Sequence, residues 1–582
     1  MAVVQAVNQD ISRRSNRFVA RTSVLAPRAK AFVSQPTPRA VGSAARARQL
    51  EAGNLHFAGE LVEAPRKLIW DTASPSDAFE REIHTFSWLD DLAAAGDAPA
   101  RRLAQAWVLS WIYRYGRGSG PGWQPDLTGR RLIRWLSHAP LILKGQDSKA
   151  SHDIFRSLGR QTRYLSRRWR AAPVGQPRFA ALTGLVYAAL SLEGYDRLLN
   201  TAIGALGRDC ARRIDDLGGI ETRNPEELME VFTLLVWSAR ALEEADHAPD
   251  PRHLAAIARI APTLRTLRLG DGSLARFHGG GRGWEGQLDQ ALAEAGERAT
   301  RQDEAAMGFA RLHSGRTTLI LDAATPPSGG ASGEGHASTL GFELSSGRQP
   351  VIVSCGPGRL FGSEWRRACR ATAAHSTGQF GRISSSRLAP SGFVARQLGT
   401  RLVSVPTEVS VQRATDLNGT WLLAAHNGYV STHGVVHRRR IFLSPDGRDV
   451  RGEDTFVADT DAGRRQLEFA LEKAGADAQM VALHFHIHPE VTASLDLAGS
   501  AVSLNLPNGE VWVFRQSAGE MTLGNSAYLD QQRLKPRATR QIIVHGRMDG
   551  QSTQITWALN RVQEARRDAW RSDEETGDPV PA

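Results

Sequence analysis

Lysine is scarce in this chain: it occurs six times, against 66 arginines. That skew points to a GC-rich, bacterial coding sequence rather than to a binding signal. Cysteine is scarce as well. Cys210, Cys355 and Cys369 are widely spaced, which excludes a metal-binding cysteine pattern and a disulfide framework. A reducing compartment fits such usage, and an oxidising one is not excluded. No apolar run approaches about 18 residues, so no transmembrane helix is expected. Nor does the N-terminus hold an uninterrupted apolar stretch. Phe18 to Ala20 is broken by Arg21, and Val24 to Ala26 by Pro27 and Arg28, so a secretory signal is not expected.

Acidic residues are almost missing from the start of the chain. Nine basic residues against the single acid Asp10 put +8 of the net +11 within residues 1–50. The body is therefore nearly balanced, and no nucleic-acid binding is expected from it. Residues 1–50 read as a basic disordered tail. An organellar transit peptide has a similar Arg-rich, acid-poor composition.

What is present is globular: 582 residues, 41% apolar and 23% charged, too many for one core. From about 76 to 296 the apolar period is helical. Ser76 or Asp77 caps a first helix with Phe79, Ile83, Phe86, Leu89 and Leu92 on its apolar face. Further helices are expected around Leu103 to Ile112 and over 129–143, 151–170, 178–193, 195–215, 225–245, 251–268 and 285–296. Short Gly- and Pro-containing links between them indicate antiparallel helix pairs. After about 306 the period falls to two. Arg316 to Asp322 and Pro350 to Ser354 read as strands, and Pro445-Asp446-Gly447 and Pro507-Asn508-Gly509 as hairpin turns. Many short strands suggest two packed sheets. The expected organisation is a tail at 1–50, a helical domain at 51–300, a sheet domain at 306–560 and a frayed end at 567–582.

Two loops and a histidine group carry the candidate chemistry. Gly218 to Leu228 ends in Asn224-Pro225-Glu226-Glu227. There Asn224 is a good helix cap, Pro225 a good first residue and Glu227 the capping-box acid. The same loop displays Arg223 and Asn224 at a positive helix terminus, which suits a carboxylate or sulfate. Gly270 to Gly283 surrounds His278 with glycines and the arginines Arg276 and Arg282. It reads either as a flexible surface turn or as a binding loop whose backbone can approach a ligand. His484, His486 and His488 alternate along one strand face, and Pro489 ends that strand before Glu490.

Seven segments, in order, resemble the heparinase II/III-like family of polysaccharide lyases. They are Gly218–Pro225, Gly270–Phe277, Gly308–Arg316, His336–Leu344, Arg370–Thr377, His433–Arg439 and His484–Pro489. The resemblance spans about residues 75–550. It implies an incomplete α/α toroid followed by an antiparallel β-sandwich. It also implies β-elimination on uronic-acid glycans, with an acidic polysaccharide as partner and a cell-envelope or periplasmic location. A cytoplasmic one is the alternative.

That reaction needs a donor for the uronate carboxylate, a base for the C5 proton and an acid for the leaving oxygen. Asn224 matches the family's carboxylate-contacting Asn. His278 falls near the family's catalytic Tyr, and this loop has no Tyr. In the family's H-x-H-x-D stretch the positions read Glu334, His336 and Ser338. His375 matches the later His, and Ser354 stands where a further Asp is expected. The candidate site is therefore Asn224, His278 and Glu334 for catalysis, with Arg223, Arg282 and His375 for substrate. His336 and His375 are what remains of a zinc site, the one cofactor that the resemblance raises. The helical and sheet motifs lie far apart in sequence yet carry complementary chemistry, so Asn224 and His278 are expected on one side of a cleft between toroid and sandwich and Glu334, His336 and His375 on the other. Three classes stand: a lyase with an altered base and acid, a glycan-binding protein with an inherited but non-cutting cleft, and a nucleic-acid-linked protein using its basic tail.

Overall fold

The computed structural model describes residues 2–26, 29–296, 305–390, 392, 399–474, 479–496 and 499–564. The frayed end expected at 567–582 lies outside the described residues. The chain forms two compact units. One holds residues 1–220, 227–261 and 284–299, and the other holds 221–226, 262–283 and 300–582.

The first unit is helical, and its helix starts follow from short polar caps. Asp97 accepts from the Ala100 N–H at 2.9 Å to begin Ala98–Tyr115, and Asp147 accepts from Ala150 N–H at 2.7 Å to begin Ser148–Arg168. Pro140 divides the helix expected over 129–143 into Pro125–Ser137 and Ala139–Leu143. Buried tryptophans fill the core. Trp88 meets Trp107 edge-on at 5.0 Å, and Trp111 meets Trp135 at 5.7 Å. Arg131 is fully buried among them. Its guanidinium sits 4.1 Å over the Trp111 ring and donates to Gln161, Gly122 and His84 oxygens. Burial pulls its pKa down to about 9. No helix among the described residues is long and apolar enough to cross a membrane.

The disordered tail expected at 1–50 is overturned. Ala2–Thr22 is a helix, and Ala44–Glu51 is another, capped by Ser43. Arg168 holds the first helix through Asn16 Oδ1 at 2.7 Å and Ser12 Oγ at 3.3 Å. The charge that suggested disorder sits on one face. Arg13, Arg14, Arg17 and Arg21 point outward, while Asn16, Ala20 and Ser23 are buried at helical spacing. Between the helices an extended strap is pinned by Val33 N–H to Ser191 O at 2.9 Å and by Ser34 Oγ to Leu190 O at 2.9 Å.

The second unit is a pair of antiparallel sheets. One runs in spatial order Val409–Asp416, Gly419–Tyr429, Val435–Leu443, Asp449–Val457, Ser552–Gln563, Val511–Gln516, Ala501–Asn505 and Thr492–Asp496. The other runs Glu520–Tyr528, Arg537–Arg547, Met480–Ile487, Gln349–Val353, Phe342–Ser346, Thr317–Asp322, Phe309–Ser314 and Ala305–Ala306. Both expected hairpin turns form, with Gly447 and Gly509 at φ 68° and 85°. Alternating apolar residues from both sheets meet in one core, including Leu319, Leu321, Phe342 and Phe485 from one and Leu422, Ile441, Trp557 and Leu559 from the other. The strand Met480–Ile487 ends one residue short of His488, which was expected within it.

Several histidines are buried as neutral rings, and this fixes an acid limit on stability. Burial drives His84 and His486 down to about 3, and His253 down to about 4, from an ordinary 6.5. As pH falls below 6.5, the unfolded chain protonates first. Stability is therefore complete above that value and is lost as pH falls toward 3. Each ring should contribute about 2 kcal/mol less at pH of about 5 than at neutrality. Urea midpoints measured across this range should fall steeply, and a flat profile would contradict the neutral burial of these rings.

Candidate functional site

The site is built around an aspartate at the end of a buried strand. Thr317–Asp322 is buried along its length, and Asp322 closes it with no exposed surface. A buried carboxylate needs donors and a counter-charge. Arg223 supplies the charge through Nη2 at 2.6 Å, and Ser338 Oγ donates at 2.6 Å. His278 Nε2 lies 3.4 Å from the second carboxylate oxygen. Burial alone would raise the Asp322 pKa. The Arg223 guanidinium, with His278 and Ser338, more than offsets it and holds the carboxyl well below the usual range.

Arg223 is spent within the fold. It donates from Nε to Met307 O at 3.1 Å, from Nη1 to Ala324 O at 3.1 Å and Thr325 O at 3.0 Å, and from Nη2 to Gly308 O at 2.8 Å. Its guanidinium also lies 4.6 Å over the Phe309 ring. The backbone of Arg223 is left-handed, at φ 50°, which turns the side chain into this cage.

His278 is also left-handed, at φ 48°, and is 1% exposed. Of the two readings of this loop, the flexible surface turn is therefore corrected. The His336 N–H donates to His278 Nδ1 at 3.2 Å. In the neutral ring Nε2 then carries the proton and faces Asp322. Arg223 Nη1, 3.4 Å from Nε2, has no lone pair to meet there. Burial lowers the His278 pKa, and Asp322 only partly restores it. A proton taken from a ligand has no vacant nitrogen to go to without breaking the His336 contact.

Of the other expected residues, His336 Nδ1 and His375 Nε2 are 3.1 Å apart, and burial drives both rings down, His375 to about 3. Asn224 is buried beside the glycine loop, so close that a Cβ on Gly280 would stand 2.4 Å from its Oδ1. Glu226, which was not among the expected residues, ties that loop down by accepting from Gly281 N–H at 2.8 Å and from Gln531 Nε2 at 2.9 Å. Glu334 packs against Gly279 and forms an ion pair with Arg366. Arg282 is partly exposed and lies 3.8 Å from Asp271. All of these residues belong to the sheet unit, including Asn224 and His278, whose segments 221–226 and 262–283 cluster with it. The expected placement of those two on the helical side is therefore corrected.

Two imidazoles do not complete a zinc site. The serines at 338 and 354 add no strong ligand, and Ser338 is committed to Asp322. No group of three or more His, Cys, Asp or Glu among the described residues is arranged to hold a metal ion. The residues present do not fit the metal.

Behind the site a second buried network sets the backbone. Arg439 donates to Leu340 O at 2.7 Å and Ser376 O at 2.9 Å, next to Asp322 and His375 respectively. Asp454 holds Arg439 by two bonds and also accepts from His437 and Trp557. Neither Asp322 nor Asp454 was singled out by sequence. For Asp322 the available signal was an acid closing the Leu319-Ile320-Leu321 run, and Asp454 in the polar strand Asp449–Val457 offered none.

A family model described as Heparinase II/III-like, C-terminal matches residues 298–558. The chain belongs to the heparinase II/III-like family. It is 30% identical over 508 residues to FtsZ-localized protein C of Caulobacter vibrioides, covering 85% of this chain and 84% of that one. Among solved structures, heparinase III superposes with a TM-score of 0.67 at 12% identity, covering 94% of this chain and 89% of the other. A heparan sulfate lyase mutant from Pedobacter heparinus gives 0.56 at 13%, covering 97% and 90%. These likenesses establish the lyase-type fold, an α/α toroid followed by an antiparallel sandwich.

Proposed function

We propose that this chain is a non-cleaving member of the family, which keeps the lyase fold to bind an acidic glycan and acts where FtsZ is localised. The observation that carries the reading is the commitment of His278. The residue standing near the family's catalytic Tyr has one nitrogen on the His336 N–H and the other on Asp322. Arg223 and Glu334 are similarly engaged, by Asp322 and Arg366. An elimination site needs a base with a vacant lone pair aimed at substrate. The localisation rests on the relative named for FtsZ, alike over most of both chains.

A second reading, β-elimination on a uronate glycan, is favoured by Asn224, which matches the family's carboxylate-contacting Asn and lies against the His278 loop. One assay separates the two. The purified protein is incubated with heparan sulfate, chondroitin sulfate, hyaluronan and alginate. Unsaturated uronate is followed by ultraviolet absorbance and binding by calorimetry. Binding without new absorbance is expected. Product formed by the wild type, and reduced by roughly 10²-fold in Asn224→Ala, would establish the second reading. A fluorescent fusion imaged beside FtsZ tests the location, and a diffuse signal throughout the cell would reject it.

A further inference from the structure

The helical unit contains a cleft unrelated to the lyase-type site. It has a volume of about 520 Å³, within the usual range for small-molecule pockets. The strap between the first two helices forms one wall, through Gln35, Pro38, Ala40 and Gly42. The strap is fixed there. Ser43 N–H donates to Asp91 Oδ1 at 2.9 Å, Gln290 Nε2 donates to Arg39 O at 2.8 Å, and a Cβ on Gly42 would stand 2.0 Å from Asp90 O.

The lining divides into three parts. Pro38, Ala40, Ala93, Ala94, Pro140 and Leu141 make it apolar over most of its extent. The single lining carboxylate, Asp90, is already neutralised. Arg134 Nε reaches it at 2.7 Å and His138 Nε2 at 2.9 Å. The remaining charges are Arg101 and Lys144, which make no ion pair among the described residues.

The backbone that carries Lys144 is tied to the helix that carries Arg101. Gln105 Nε2 donates to Lys144 O at 2.9 Å and Leu141 O at 3.1 Å. Arg101 lies one helical turn before Gln105 on the same face of Ala98–Tyr115. Gln105 therefore brings the backbone of Lys144 alongside the turn that carries Arg101. An apolar trough whose lining cations, Arg101 and Lys144, are carried on adjoining backbone segments matches a molecule with an apolar body and one anionic head. Walls of alanine, proline and leucine, with no Phe, Tyr or Trp among the lining residues, suit an aliphatic body rather than a sugar ring.

We propose that this cleft binds a small aliphatic carboxylate, with its head between Arg101 and Lys144 and its chain beneath the strap. The test is calorimetric titration of the full chain with decanoate, kept below its micelle concentration. Decanol and inorganic phosphate serve as separate probes of body and head. Decanoate should bind at one site, at least tenfold more tightly than either probe. Replacing both cations, Arg101→Gln with Lys144→Gln, should weaken binding by about tenfold at low salt, with less effect at high salt. Ala93→Phe, which fills the trough from a partly exposed position, should abolish binding without changing the helical circular-dichroism melt. Absence of decanoate binding would overturn the proposal. So would equal binding of decanol, or binding retained in the Ala93→Phe variant.

Discussion

Arg223→Met is expected to lower the stability of the sheet unit by about 3–5 kcal/mol, the cost of leaving one member of a buried ion pair without its partner. The loss has two sources. Asp322 keeps its charge and its full burial, with only Ser338 and His278 left as donors. The carbonyls of Met307, Gly308, Ala324 and Thr325 lose the cation that they converge on. Arg223→Lys should fall between the two, because an ammonium keeps the charge but cannot reach donors in a planar fork. Adding Asp322→Asn to Arg223→Met should recover part of the loss, since the uncompensated charge disappears with it. Denaturant melts of the four proteins measure all of this. If Arg223→Met melted with the wild type, Arg223 would not be holding the fold together. It would then be free to meet a uronate carboxylate, and the non-cleaving reading would lose its second support.

The period change near residue 306 marked the switch from helices to strands, because burial on one helix face and one sheet face imposes different spacings. Turn chemistry located the hairpins at Pro445-Asp446-Gly447 and Pro507-Asn508-Gly509 for the same local reason. The N-terminal helix was not legible. Its arginines dominate the composition, while the small and polar residues of its buried face, Asn16, Ala20 and Ser23, give no hydrophobic stripe to read. At the site, sequence singled out Arg223, Asn224, His278, His336 and His375, which lie in one unit. What it could not supply was their mutual bonding. Asp322 enters from a strand about a hundred residues away, and a single acid in an apolar run reveals its partners only after folding. Exposure was misjudged for a related reason. A glycine-rich loop is flexible in isolation, but Glu226 and Asn224 press this one into the interior.

His278→Ala separates the two roles that the ring was given. As a catalytic group in a loop that buries little, its loss would silence activity and leave stability unchanged. The geometry predicts the reverse emphasis. The ring is 1% exposed, accepts the His336 N–H and faces Asp322. Its removal leaves a buried backbone donor unsatisfied and a cavity beside Arg223, for a combined cost of about 3 kcal/mol. His278→Gln should restore part of that cost, because a side-chain amide can offer an acceptor to His336 N–H and a donor to Asp322. Binding of the acidic glycan should follow stability, weakening in the alanine variant and returning with glutamine. A catalytic base would not behave in this way, since glutamine accepts no proton at neutral pH. If His278→Ala melted with the wild type while a measurable lyase activity disappeared, the ring would be a base after all, and the chain would be an active lyase.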